Sequence, residues 1–276
     1  MSIRKVKTAH DWNSQVEKYS DCLFHSFEWY NALKSPWHKN YLVAYDRHLI
    51  PLQINLFTRN AYSGPWGSYG GILGEKEDSL ENLKRVKRVL FLKNIYIHTN
   101  NSLDFCEPYE TSTAVTIPLR SEQENYQFLN ENRKRNLRKS MVENLKIDVL
   151  TGDLAVRRYI ALLKKSRIRY TFHPKACFRK LSKLPQSLFF FCSQREDLSA
   201  ALILKLNRET LYYWHGVTTD DGAVKHSSEL LHWHIILFGI SRGFKEYNMG
   251  TSPSESLLNY KLSWGGTISR VFTYKI

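Results

Sequence analysis

An α/β (α+β) fold of two tandem domains, each a mixed, mostly antiparallel sheet flanked by helices, is predicted by three features of this 276-residue sequence. Residues 113–276 alternate strand, helix, helix, strand, helix, three strands, helix, strand, helix and strand, enough for a complete layered domain. Within that span, short strands at 188–193, 199–206 and 210–217 are separated only by polar turns, the pattern of an antiparallel meander. The helix that follows, at 229–238, is apolar on nearly every face and has to be covered on all sides. A shorter set of similar elements fills 1–110, and the polar, Pro108-containing connection after it puts the boundary between residues 112 and 113.

Composition narrows the class. With 42% hydrophobic and 13% aromatic residues the chain can fill packed cores and is not disordered. Cys22, Cys106, Cys177 and Cys192 are widely spaced and form no Cys-x-x-Cys pair, so neither a zinc site nor a disulfide framework is expected, and a reducing cytoplasm fits. The start, Met1-Ser2-Ile3-Arg4-Lys5-Val6-Lys7, turns polar before an apolar signal core develops. No run of about eighteen apolar residues occurs, so no transmembrane segment is expected. Forty Lys and Arg against 26 Asp and Glu leave a net charge of +14, which draws polyanions: nucleic acid, a nucleotide-linked substrate or an anionic membrane surface.

The first domain opens with a strand at 3–6 and helices at 9–19 and 26–33. Ser26 caps the second helix, with Trp29, Tyr30 and Leu33 at helical spacing for burial. Strands at 41–45 and 49–57 flank Asp46-Arg47-His48 as a hairpin, and Pro51 marks an edge or a bulge. Ser63-Gly64-Pro65-Trp66-Gly67-Ser68-Tyr69-Gly70-Gly71 is a loop whose backbone can approach a ligand closely, and no Gly-Lys-Ser/Thr follows to make it a nucleotide P-loop. A basic helix at 78–93 sets Leu80, Leu83, Val86, Val89 and Leu90 against Lys84, Arg85, Lys87 and Arg88, and a strand at 94–98 follows.

In the second domain a strand at 113–119 leads to Ser121-x-x-Glu124, a capping box. Arg133, Lys134, Arg135, Arg138 and Lys139 crowd one surface helix with a narrow apolar edge of Leu137, Met141 and Leu145. A strand at 146–150, a helix at 153–169 and an aromatic loop, Tyr170-Thr171-Phe172-His173-Pro174, precede the three strands. In the last of these, alternation places Tyr213 and His215 on one face with Leu211, and Tyr212 on the other, and one of the two faces is expected to border substrate. Ser227 and Ser228 stand before the apolar helix as its start. A strand at 244–250, a helix at 255–262, Trp264-Gly265-Gly266 and a strand at 267–274 complete the chain.

Asn248-Met249-Gly250, then Asn259-Tyr260-Lys261 and Trp264-Gly265-Gly266, resemble the C-terminal end of the FemAB-like branch of the GNAT (N-acyltransferase) superfamily. The Gly-Pro…Tyr-Gly-Gly loop at 64–71 and the run Asn132-Arg133-Lys134-Arg135-Asn136-Leu137-Arg138-Lys139 resemble the same family. The resemblance implies two tandem GNAT-like domains and an enzyme that forms an amide between an activated acyl or aminoacyl donor and an amine. It makes Lys261 and Tyr260 the catalytic candidates for the oxyanion, and Tyr213, from its place on the strand, is the third catalytic candidate. Gly64, Trp66, Tyr69, Arg135, Arg138, His215, Lys225, Ser227, Ser228 and Asn248 become the candidate substrate contacts.

Acetyl-CoA-dependent members carry Gln/Arg-x-x-Gly-x-Gly/Ala where a strand opens into the long helix, so that amides and the helix dipole hold pyrophosphate. Residues 217–228 here lack that pattern; Lys225 and the amides of 227–229 can hold a phosphate, but Asp220 and Asp221 oppose it. The departure favours aminoacyl-tRNA as donor, with acyl-CoA as the alternative. The coiled-coil arm of tRNA-using relatives has no heptad counterpart here. The expected acceptor is an amine on a cell-wall precursor, peptide or small metabolite, with no metal, no further cofactor and no DNA specificity. His232 and His234 point to different sides of a helix, against a metal site, and no Gly-x-Ser-x-Gly supports a hydrolase. The alternative from another class is a non-catalytic RNA- or membrane-surface-binding protein on the same scaffold, with the basic helices as its working surface.

Overall fold

The computed structural model describes residues 3–6, 8–45, 47–74, 80–166 and 175–276, Ile3 and Arg4 by backbone alone. Asp46 of the hairpin, the first residues of the basic helix at 78–79 and the aromatic loop at 170–174 lie outside the described residues. The chain divides into two compact units, Met1–Thr113 with Arg270–Ile276, and Ala114–Ser269.

The first unit contains β1 (Ile3–Val6), α1 (Ala9–Val16), α2 (Phe27–Leu33), β2 (His38–Tyr45), β3 (His48–Asn55), β4 (Asn60–Ser63), β5 (Leu73–Gly74), α3 (Leu80–Val89) and β6 (Asn94–Thr99). Ser26 caps α2 by accepting the Trp29 N–H at 3.2 Å, and Trp29, Tyr30 and Leu33 are buried, as their spacing predicts. β2 and β3 form the expected hairpin, Tyr45 opposite His48. The free side of β3 is taken by β5 at His48–Leu49 and by β4 at Gln53–Ile54, so Pro51 falls in the gap between two partial partners, where no amide donor is missed. β4 runs parallel to β6 with α3 as the connecting helix. Only Leu83 and Val86 of α3 are buried, and Val89 is exposed, so its apolar face is narrower than the sequence suggests.

The expected second domain loses its last seven residues to the first unit. The final strand, Thr267–Lys275, pairs antiparallel with β6, Phe272 opposite Thr99 and Lys275 opposite Tyr96, and Tyr274 enters the core of Ile50, Leu52, Ile95 and Ile97.

The second unit contains β7 (Glu110–Pro118), α4 (Glu122–Phe128), α5 (Glu131–Met141), β8 (Lys146–Leu150), α6 (Gly152–Lys165), α7 (Lys175–Leu181), β9 (Ser187–Ser193), β10 (Asp197–Lys205), β11 (Thr210–Thr218), α8 (Asp220–Val224), α9 (Ser227–Ser241), β12 (Glu246–Thr251) and α10 (Glu255–Leu262). Strands run in the order β7-β12-β11-β10-β9-β8, antiparallel except for β11 beside β12. Both units therefore repeat one plan: an antiparallel meander, a helical connection, and a strand parallel to the meander's last. The capping box of α4 is complete. α9 is buried around its circumference through Leu230, Leu231, Trp233, Ile235 and Ile236, on the sheet face of Phe190, Ile203 and Leu211; α6 covers the opposite face, its Tyr159 against Phe189 and Phe191. Among the described residues no helix is long and apolar enough to cross a membrane.

Three local expectations change. β11 carries a bulge: Leu202 faces His215 and Ile203 faces Tyr213, which leaves Trp214 as the extra residue. Tyr213 and His215, expected on one face, consequently point to opposite layers. α5 buries Leu137 and Ser140 while Met141 is exposed, because Arg133 rather than Met141 turns inward. The acidic stretch before the long helix is itself helical, α8, with Thr219 accepting the Gly222 N–H at 3.1 Å.

Candidate active site

β11 and β12 pair over only three positions, Thr210 to Tyr212 against Glu246 to Asn248, and then separate. β11 leaves at its bulge; β12 leaves at Gly250, whose φ of 70° lies in the left-handed region. Ligands of α/β sheets collect outside the carboxyl ends of parallel strands, where neighbouring backbones part. In this structure that place is filled by ionisable side chains gathered around His232.

His232, buried on α9, shares a hydrogen bond of 2.9 Å through Nδ1 with the Tyr247 hydroxyl. Its ring lies 5.1 Å from that of Tyr213, 5.5 Å from Trp264 and 6.1 Å from Tyr260. Burial, then the positive charges of Lys261 and Arg133, lower its pKa to about 3, so the imidazole is neutral. Beside it Arg133 of α5 donates to the Glu229 carboxylate of α9 at 2.6 Å, and the guanidinium lies 4.5 Å from the centre of the Tyr260 ring. Ser228 donates its hydroxyl to the other Glu229 oxygen at 2.9 Å.

Tyr213 is held out along its strand by Gly216. A Cβ at 216 would come within 1.7 Å of the phenol oxygen, so glycine there is what makes room for the ring. Burial raises the Tyr213 pKa to about 12, and raises Tyr247 and Tyr260 also, which keeps all three hydroxyls protonated as donors.

Lys261 is almost wholly buried. Its ammonium donates to the Gly250 carbonyl at 3.0 Å and the Thr251 carbonyl at 2.7 Å, tying α10 to the end of β12 where that strand turns away. Two of three N–H donors are used there, and burial lowers its pKa to about 8. The cluster thus holds two cations, protonated phenols and one carboxylate already engaged. It can stabilise developing negative charge, and Lys261 is the member brought nearest to neutral pH.

Of the sequence candidates, Lys261, Tyr260 and Tyr213 come together here. Ser228 reaches the cluster through Glu229. Asn248 shapes its edge by accepting the Gly250 N–H at 2.8 Å. His215 stands on the opposite sheet face, hydrogen-bonded to the Tyr159 hydroxyl at 2.6 Å and packed on Phe178. Ser227 is buried, and the helix start is taken by His226 in a left-handed conformation instead of by a serine cap. Lys225 is held by Asp221 and Gln194, both at 2.8 Å, and Arg135 and Arg138 are exposed on α5, Arg138 donating to the Tyr126 hydroxyl at 3.3 Å.

Gly64, Trp66 and Tyr69 belong to the first unit, in a loop closed on itself. The Gly64 N–H donates to the Tyr30 hydroxyl, Gly71 donates to Ser63 Oγ at 2.9 Å, and Gly70 donates to the His98 carbonyl at 2.6 Å. A Cβ on Gly64 would fall 2.6 Å from the Gly70 nitrogen, and one on Gly70 2.3 Å from the Gly64 nitrogen, so close packing accounts for these two glycines. Tyr69 is buried against Phe24 and His98, while Trp66 is half-buried at φ 60°.

Sequence reasoning missed Glu229, His232, Tyr247 and Trp264 and placed Arg133 on the surface. A carboxylate within an otherwise apolar helix was the available signal, since a buried charge demands a partner.

Residues 131–262, from α5 to the end of α10, match the family model described as an acetyltransferase (GNAT) domain. The whole chain has the fold of FemX, with a TM-score of 0.74 at 11% identity, covering 100% of this chain and 98% of that one. It is similar also to L-PGS from Bacillus licheniformis (TM-score 0.65, 11% identity, 99% and 94% covered) and to a tandem GNAT protein from the clavulanic acid biosynthesis pathway (0.59, 6%, 100% and 98%). No curated protein sequence matches. The family model thus supports a GNAT domain over 131–262, and the solved structures share the fold of the whole chain.

Proposed function

We propose that this chain, whose second unit has the GNAT acyltransferase fold, is a FemAB-type transferase. It forms an amide by passing an acyl or aminoacyl group from an activated donor to an amine. The amine nitrogen attacks the donor carbonyl, the carbonyl oxygen takes up negative charge, and the donor's hydroxyl or thiol leaves as the carbonyl reforms. Lys261, Tyr260 and Tyr213 supply donors to that oxygen, and Arg133 fixes Tyr260 from above. The proton that the attacking amine sheds leaves with the donor's departing oxygen or sulfur.

The observation that carries the proposal is the buried cluster around His232 at the point where β11 and β12 separate. Buried ionisable groups with displaced pKa values, gathered at a strand divergence, mark chemistry more than packing. Aminoacyl-tRNA is the favoured donor and acyl-CoA the alternative, and an amine of a cell-wall precursor, peptide or small metabolite is the acceptor, in the cytoplasm. The donor carries its own activated carbonyl, so the reaction as proposed needs no metal or organic cofactor.

The test is incubation of the protein with charged tRNA or acyl-CoA and amine acceptors, followed by mass spectrometry. A new amide whose yield falls in Lys261→Met supports the proposal; equal yields with wild type and variant, or none with any donor, reject it.

A further inference from the structure

One end of the first unit's sheet combines exposed apolar side chains with a dense set of cations. The turn after β3 carries Leu56 (45% exposed) and Phe57 (71%), and Trp37, whose carbonyl accepts the Leu56 N–H, is 57% exposed beside them. The turn continues to Arg59, which accepts the Lys93 N–H and whose guanidinium lies 5.9 Å from the centre of the Phe91 ring, itself 73% exposed. Arg59, Lys84, Lys87, Arg88 and Lys93 line an open hollow of about 850 Å³ there with Phe91. Among the described residues, the Glu81 carboxylate answers Lys84 and Arg88, and Lys87 donates to the Ile276 carbonyl at 3.0 Å.

Solvated basic faces are ordinary, and so are single exposed aromatics; this end joins the two. Large apolar side chains left in water are costly unless they meet a partner. Aromatic rings flanked by Lys and Arg suit the boundary of a bilayer, where the rings enter the acyl margin and the cations meet phosphate. The rings also argue against nucleic acid. Trp37 and Phe57 lean on each other at 52° with centres 4.8 Å apart, which leaves no paired flat platform for bases, and Leu56 and Val89 have no ring to offer.

We propose that this end of the first unit docks the protein on an anionic lipid bilayer, Trp37, Phe57 and Phe91 entering the interface while Arg59, Lys84 and Lys93 engage lipid phosphates. The docking is independent of the transfer chemistry assigned to the second unit.

Flotation with vesicles of phosphatidylcholine, with and without phosphatidylglycerol, tests it on the full chain. Wild type is expected to float with the phosphatidylglycerol vesicles at low salt, and less so at high salt. The variant W37S/F57S/F91N is expected to lose binding by an order of magnitude or more; asparagine at 91 keeps a side chain that accepts the left-handed backbone. Lys84→Gln with Lys93→Gln is expected to lose about tenfold and part of the salt dependence, two cations each contributing near the surface. Thermal melting confirms that both variants stay folded. Two results overturn the proposal: wild type that does not float with anionic vesicles, or flotation unchanged in both variants, including where they lose tRNA binding or self-association instead.

Discussion

Arg133 and Glu229, 96 residues apart, meet at 2.6 Å with little more than a tenth of either side chain exposed. A pair so enclosed behaves asymmetrically: removing one member strands the other's charge. Glu229→Gln and Arg133→Met are each expected to lower unfolding free energy by about 3–5 kcal/mol, and Arg133→Met with Glu229→Leu to recover most of that loss. Urea denaturation of the three variants measures the cycle; additive losses would show that the two charges do not depend on each other.

Lys261→Met is expected to lower kcat by on the order of a hundredfold while the protein stays folded, and Lys261→Arg to restore only part of it because the planar fork delivers charge differently. A folded Lys261→Met with wild-type turnover would remove the residue from the mechanism.

The same lysine sets a stability trend. Its folded pKa of about 8 lies below the ordinary 10.5, so between those values the unfolded chain binds more protons and stability rises with pH. The rise is at most roughly 3 kcal/mol. Denaturation midpoints of wild type and Lys261→Met compared across that window should diverge in wild type's favour as pH increases; parallel curves would count against the shift.

His232 gives the opposite flank. With a folded pKa of about 3 against 6.5, it costs stability as pH falls from 6.5 towards 3, by as much as roughly 5 kcal/mol. His232→Gln should unfold at lower pH than wild type, followed by circular dichroism during acid titration.

Gly216→Ala places a methyl where the Tyr213 hydroxyl lies. Tyr213→Phe tests the hydroxyl alone, and Gly216→Ala tests its position. Both should depress kcat, the glycine variant at least as much; full activity in Gly216→Ala would mean that Tyr213 need not stay where the structure holds it.

The elements were largely legible because their signals are local. Ser26, Ser121 and Glu124 cap helices where they stand, and the polar turns between β9, β10 and β11 are visible as composition. The candidate site was legible where a motif marked it, at Tyr260 and Lys261, and at Tyr213 on its strand. Glu229 and His232 sit in a helix that reads as uniformly apolar; the approach of Arg133 from α5 explains the first and the Tyr247 hydroxyl the second. Tyr213 and His215 were read by strict alternation, which one extra residue in β11 reverses. The glycines of 64–71 were read as openness toward a ligand; Gly64 and Gly70 instead pack against each other, while a Cβ on Gly67 would meet open space.

The strand Thr267–Lys275 has a consequence for how the protein is made. β6 acquires its antiparallel partner only when residues 272–275 have been synthesised, and Tyr274, which completes the core beside Ile95 and Ile97 and accepts the Leu103 N–H, arrives with them. The second unit, in contrast, has its whole run of strands before residue 270. The half of the protein that leaves the ribosome first is therefore the half that must wait, holding an unpaired strand edge through the synthesis of more than 150 further residues, an interval in which a chaperone or an early collapse has to keep β6 from pairing elsewhere.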